Sequence, residues 1–322
     1  MTPRTPVLVD CDTGIDDAVA LLYLLASDTV DVVGITAVGG NAPARTCALN
    51  TLRVLTLAGR TDIPVAVGAE RPLVAPPIPH ASDVHGADGM GDADVPPADA
   101  GLLDGRSAVR LIDELSRRHE GRLRILTLGA LTNLAIAVRA DPELVGRVAD
   151  VVAMGGAAEV PGNRTPAAEA NILHDPEAAE VVLSAGWPVS LIPLDVTMRE
   201  LMTDEHRAQL TASGTAAGRF VADITDSYVA FYEARFGRRV AALHDVLAAA
   251  VLTGEVVPDP FPRVRVAIEC GSGPARGATV CDTRGRYTGH PDQEGATVRV
   301  ALGTPGGFAD ALVAHLTSGR LP

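Results

Sequence analysis

Four aspartates crowd into the eight residues Asp10-Cys11-Asp12-Thr13-Gly14-Ile15-Asp16-Asp17. Carboxylates packed that closely repel one another unless a cation or shared protons relieve the charge. A helix start uses one such group, as a cap or a first-turn acid, and leaves the others unexplained. The cluster therefore points to a metal. Oxygen donors without a Cys or His pair at ligand spacing suit Ca2+ or Mg2+ and disfavour zinc and copper. Two known acidic patterns fail. The glycine comes too early for an EF-hand loop, whose closing glutamate is also missing, and Thr13 stands one place too early for the Asp-x-Asp-x-Thr of phosphatases.

The neighbouring residues dictate where the cluster lies. Residues 6–10 (PVLVD) read as a buried strand, and residues 15–26 repeat apolar groups at helical spacing. A loop between such elements of a parallel sheet lies at the carboxyl edge, where ligands bind. Residues 31–38, 63–67, 123–128, 148–153 and 189–193 continue the strand series, with helices between them, the first ending near Leu57. This alternation predicts an α/β fold: a mostly parallel, Rossmann-like central sheet with helices on both faces. Residues 264–270, 278–281 and 297–301 read as extra strands near the C-terminus. Residues 216–235 read as a long helix, another follows Asp245, and a last one lies near 307–316. Residues 70–100 break the rhythm with six prolines, a length that marks a functional loop in a compact domain. Without a linker or repeat, one domain over residues 1–322 is expected.

Composition narrows the chemistry. The net charge of −13 and the lack of a basic block argue against a nucleic-acid polymer as partner. The chain has no lysine, which excludes a P-loop lysine and every Schiff-base mechanism. No apolar stretch is long enough to span a bilayer and no signal-peptide pattern opens the chain, so a cytoplasmic protein is expected. Cys11, Cys47, Cys270 and Cys281 are scattered and read as buried free thiols. Of ten aromatic residues, five fall between Phe220 and Phe236.

Taken together, several blocks resemble the inosine–uridine-preferring nucleoside hydrolases. DCDTGIDDA is similar to their signature, and TAVGGN ending at Asn41, VHGADGMG around His85, LGALTNLA from Leu128, VVAMGG around Met154, AEANILHDPEAA from Ala168 and His244-Asp245 follow in order. The resemblance spans nearly the whole chain. It implies hydrolysis of the N-glycosidic bond of a ribonucleoside, giving free base and ribose, as in nucleoside salvage. It implies one Ca2+ held by Asp12, Asp17, Asp245 and the Leu128 carbonyl, with Asp12 as general base toward the attacking water. It places Asp16, Asn41, Met154, Asn163, Glu169 and Asn171 on the sugar, with Asp10 as a buttress. His85, Tyr228 and Tyr232 would line the base side, His85 from a loop that closes over the nucleoside. His244 is the candidate for protonating the leaving base. A homodimer or homotetramer is also implied.

One position departs from the pattern. Family members often carry an aromatic residue where this chain has Ala170, which opens space at the ribose 5′ edge. Asp83 and Asp88 add negative charge to the long loop, and with no lysine a 5′-phosphate is disfavoured. Two other readings use the same residues. A Mg2+-dependent phosphohydrolase would need basic groups that these motifs do not supply, and a non-catalytic nucleoside-binding protein would not need Asp12, Asp17, Asn171, His244 and Asp245 together.

Overall fold

The computed structural model describes residues 3–321. Strand β1 (Thr5–Cys11) is buried from Pro6 onward, and its alternation sends Val7, Val9 and Cys11 to one face and Leu8 to the other. It is a central strand. Chain order continues with β2 (Val30–Ala37), β3 (Val65–Val67), β4 (Leu103–Asp104), β5 (Leu123–Thr127), β6 (Val148–Met154) and β7 (Val189–Ile192). Further on are β8 (Leu201–Thr203), β9 (Val240–Ala242), β10 (Arg263–Val264), β11 (Val266–Ile268), β12 (Thr279–Cys281) and β13 (Val298–Val300). Nine of these form one sheet in the order β10-β13-β7-β6-β5-β1-β2-β3-β4, parallel throughout except for β10 at its edge.

The order fixes the site. From β1 the chain steps outward through β2, β3 and β4, then returns to lay β5 on the other side of β1 and steps away through β6 and β7. The reversal opens a crevice beyond the carboxyl ends of β1 and β5, the position where open α/β sheets bind ligands. Helices Ile15–Leu25, Ala44–Leu57 and His244–Thr253 cover the Val7 face, and Ala108–Arg118 and Thr132–Ala140 cover the Leu8 face.

The strands expected through residue 193 all form, and the long helix runs from Ala216 to Phe236. Elements the pattern reading missed are short or polar. Strand β4 has two residues and β8 and β9 three each, too few to display a period. Helix Asp204–Ala212 buries only Leu210, so it carries no apolar stripe. The single strand expected over 264–270 is split. Val264 pairs with β13 in the main sheet, whereas β11 turns out to pair with β12 in a separate ribbon. Of the four thiols, Cys11 and Cys47 are buried, but Cys270 and Cys281 are only half-buried.

Candidate active site

The acidic loop leaves β1 and enters helix Ile15–Leu25. Asp17, in the first turn, accepts a hydrogen bond from the Gly14 N–H at 2.9 Å and another from the Asn41 amide at 3.2 Å, both on Oδ2. Capping thus uses one oxygen of one carboxylate. Asp12 Oδ2 accepts from the Asn41 backbone N–H at 2.8 Å. The other oxygens of Asp12 and Asp17, and Oδ1 of Asp16, are buried without any hydrogen-bond partner. A buried carboxylate oxygen without a partner is costly, so three in one place call for a ligand.

Asp245 arrives from far along the chain. Helix His244–Thr253 is apolar on every side and rich in alanine, so it packs closely against Ile15–Leu25. That packing brings Asp245 to the cluster. Asp245 is not the helix cap; Leu243 holds that position. Asp16, Asp17 and Asp245 can each offer an oxygen within 4.8 Å of the others. Asp16, expected on the ribose, therefore joins the metal-competent group, while Asp12 lies alongside it. Burial, together with the neighbouring carboxylates, pushes Asp12 and Asp245 well above the usual carboxylate range and Asp17 up to about 7. The residues present fit a divalent cation of the hard, oxygen-seeking kind.

The loops around the cluster are fixed from below. Asp10 accepts from Thr36 Oγ1 at 2.6 Å and from Asn133 Nδ2 at 2.8 Å, which makes it a buttress of the strand ends. Asn133 also receives the Ala69 N–H at 2.8 Å, tying the loop after β3 to the same hub. Two glycines wall Asp12. A Cβ on Gly129 would come 2.7 Å from Asp12 Oδ1, and one on Gly40 would collide with Oδ2. Gly40→Ala is accordingly expected to displace the carboxylate and lower kcat/KM about tenfold or more with the fold retained. Wild-type kinetics in that variant would show that the cradle does not matter.

Asp16, Asn41, His85, Leu128, Met154, Asn163, Glu169, Asn171, Tyr228, Tyr232, His244 and Asp245 all line one pocket above the cluster. Asp12 and Asp17 lie beneath its floor, buried. On the loop side, Asn171 Nδ2 donates to the Leu128 carbonyl at 2.8 Å and to the Met154 carbonyl at 3.2 Å. Glu169 caps the helical turn Ala170–His174, accepting the N–H groups of Asn171 and Ile172, and also holds the Gly156 N–H at 2.9 Å. Asn163 Oδ1 accepts the Ala170 N–H at 3.0 Å. These groups shape the loop over residues 163–171 as well as face the pocket.

On the opposite wall, Tyr228 and Tyr232 share a helix face, with ring centroids 5.1 Å apart and edge-on. The Tyr228 hydroxyl donates to Asp16 Oδ2 at 3.3 Å. His85, from the helical turn Ser82–His85 in the long loop, accepts the Ile15 N–H on Nδ1 at 3.1 Å, which leaves the ring proton of the neutral form on Nε2. Both His244 nitrogens meet hydroxyls: Nε2 lies 2.7 Å from Tyr232 Oη and Nδ1 lies 2.8 Å from Thr197 Oγ1. Burial holds His85 and His244 below the ordinary imidazole range, which favours their neutral forms.

Pattern reading missed several lining residues. Phe231 and Arg235 share the helix face of Tyr228 and Tyr232 at spacings of three and seven, a signal that was present in the sequence. Arg164 and His174 also line the pocket from the segment around Glu169, and Thr197, behind the wall, reaches His244 only through the fold. Arg164 lies 3.7 Å from Asp83 and donates to the Pro79 carbonyl at 3.3 Å, joining the loop over residues 163–171 to the long loop.

A family model described as "Inosine-uridine preferring nucleoside hydrolase" matches residues 7–305. The chain belongs to the inosine–uridine preferring nucleoside hydrolase family. It is 38% identical over 279 residues to the inosine-uridine preferring nucleoside hydrolase of Leishmania major, covering 86% of this chain and 88% of that one. It is 37% identical over 314 residues to the pyrimidine-specific ribonucleoside hydrolase of Shewanella woodyi, covering 97% of each. The solved purine-preferring ribonucleoside hydrolase from Gardnerella vaginalis superimposes with a TM-score of 0.88 at 30% identity, over 98% of both chains. These nucleoside hydrolase relatives carry three different base preferences in their names, so the shared scaffold does not set the base. Among the described residues, no helix is long and apolar enough to cross a membrane.

Proposed function

We propose that this nucleoside hydrolase cleaves ribonucleosides to free base and ribose with the help of Ca2+. In this reading Asp12, Asp17, Asp245 and the Leu128 carbonyl hold the ion, and Asp16, which the geometry groups with Asp17 and Asp245, either shares in that shell or meets a ribose hydroxyl. The observation that carries the proposal is the set of unpartnered buried oxygens on Asp12, Asp16 and Asp17 directly under a pocket lined with amides and hydroxyls. When bound, such a cation would offset the carboxylate charge, help to hold the ribose diol and lower the pKa of the attacking water.

The protein side chains then divide the work. Asp12 removes the proton from the attacking water; its Oδ1 is free and its Oδ2 is steadied by the Asn41 N–H. Asn41, Asn163, Glu169 and Asn171 orient the sugar, and Met154 packs beneath it. As the glycosidic bond opens, positive charge spreads over C1′ and the ring oxygen, and the acidic floor stabilises it. The base leaves toward Tyr228, Tyr232 and His85. The leaving base would take its proton from the Tyr232 hydroxyl, which would recover one from His244 in its protonated form, with Thr197 orienting the imidazole.

Base release from a panel of purine and pyrimidine ribonucleosides with Ca2+ present tests the activity, and no cleavage of any of them would overturn it. Phosphate release from nucleotides would favour the phosphohydrolase. For the relay, Tyr232→Phe and His244→Ala are each expected to slow poor leaving groups by about 10²-fold, the usual scale of general acid catalysis. A ribosyl substrate whose leaving group needs no proton, such as 4-nitrophenyl ribofuranoside, should lose less than about threefold. Equal losses on both substrates would remove the relay.

A further inference from the structure

Beside the active pocket lies a second and larger cavity. The space over the acidic floor is about 110 Å³, whereas its neighbour is about 430 Å³. The two share Asn163, Met198, Arg235 and Phe236, so they meet across a common wall. The second chamber is bounded by the sugar loop at Asn163, by the segment that ends at Met198 and Arg199, and by the C-terminal end of the long helix.

Its charge is unlike that of the site it adjoins. Arg199 and Arg235 both line its rim, where they are exposed to solvent, and neither pairs with a carboxylate among the described residues. The Arg235 guanidinium lies 4.9 Å above the Phe231 ring, whose residue also lines the active pocket. The one acid on the wall, Asp195, is already engaged, accepting the N–H groups of Ala158 and Glu159 at 2.8 Å each. In a chain of net charge −13, two unpaired arginines around one cavity make a local positive field next to an acidic floor. Guanidinium groups with free N–H donors recognise carboxylate and phosphate oxygens.

We infer that the second chamber is a subsite for an anionic group carried by the nucleoside, held by Arg199 and Arg235. The inference rests on the hydrolase reading of the adjoining pocket and extends its substrate class to nucleosides with a negatively charged substituent. Two sources supply the chemistry: a carboxylate on the base, or a 5′-phosphate, which the sequence disfavoured for want of a lysine and for which these arginines supply donors. Which of them enters the chamber depends on the orientation of the sugar over the floor.

The test uses the intact chain with Ca2+ and three ribonucleosides: a neutral one, its 5′-monophosphate, and one with a carboxylated base. Arg199 touches only the second chamber, so Arg199→Gln is the variant. Its kcat/KM on the neutral nucleoside is expected within twofold of wild type, and on at least one anionic substrate it should fall about tenfold or more. A selective loss on the 5′-phosphate assigns the chamber to the 5′ edge, and a selective loss on the carboxylated base assigns it to the base edge. Equal effects of the variant on all three substrates would overturn the subsite, as would failure of both anionic compounds to turn over in wild type. If even the neutral nucleoside is not cleaved, the hydrolase reading fails instead. Equilibrium binding of the two anionic compounds to wild type and Arg199→Gln then decides the chamber, and equal affinities would overturn it.

Discussion

Asparagine in place of Asp12 is expected to lower kcat by at least about 10³-fold while leaving the folded protein as stable as wild type in the presence of chelator. The activity loss combines two removals. A positioned general base contributes about 10²–10⁴-fold, and the same substitution withdraws a negative ligand from the cation. Stability behaves differently because of where the carboxylate is. Burial and the nearby Asp17 and Asp16 charges already hold Asp12 far above its ordinary pKa, so its ionised form is disfavoured in the fold. An amide oxygen still accepts the Asn41 N–H, which lies 2.8 Å from the present Oδ2, and the repulsion is gone. Alanine removes that acceptor as well and strands a buried donor, at a cost of roughly 1–3 kcal/mol. The ordering to measure is therefore kcat equally low in both variants, with the melting temperature of Asn at or above wild type and that of Ala below the Asn variant. Activity within tenfold of wild type in Asp12→Asn would take the base assignment away.

The contrast between Asp12 and Asp16 shows how far the sequence alone could go. Four carboxylates after a buried strand announce a hard-metal site at a sheet edge, and the strand order bears out that placement. Spacing along a chain cannot say which oxygens converge, because Asp245 comes from a helix more than two hundred residues away and its approach decides the geometry. Only the packing of two helices brings it beside Asp16 and Asp17. Glu169 is a second case. The motif suggests a sugar contact, yet both carboxylate oxygens hold backbone N–H groups, a capping role that no pattern distinguishes from ligand binding. The proposed relay is a third, since Thr197 approaches His244 only through the fold. Arginine placement was the least legible of all. Arg235 shares a legible helix face with the tyrosines, but Arg164 and Arg199 stand in unrelated segments, and no motif signals that one cavity collects Arg199 and Arg235.

Removal of the cation should have the second large effect, and its pH dependence follows from the carboxyl groups. Metal-free protein is expected to lose at least about 10²-fold in kcat, recovered by Ca2+ and less well by Mg2+, which resists giving up its waters to a crowded protein shell. Ca2+ at about a hundredfold its Kd adds roughly 2.7 kcal/mol to the folded state, a rise in melting temperature of about 5 °C for a domain of this size. Asp17 is raised in the fold from 3.8 to about 7, and Asp10 from 3.8 to about 6. A carboxyl with a raised folded pKa favours the folded state below its unfolded pKa, and that contribution is lost as pH rises through the folded pKa. Metal-free protein should therefore weaken steadily from about pH 4 to pH 7. Asp12 and Asp245, displaced in the same direction, carry the decline further up. The cation binds the deprotonated cluster and cancels the repulsion, so the Ca2+-induced rise in melting temperature should be small at pH 5 and largest near pH 8. A rise of the same size at both pH values would mean that the ion binds away from these carboxylates, and Asp17→Asn should reduce the Ca2+-induced rise and its pH dependence, with Asp12 and Asp245 carrying what remains.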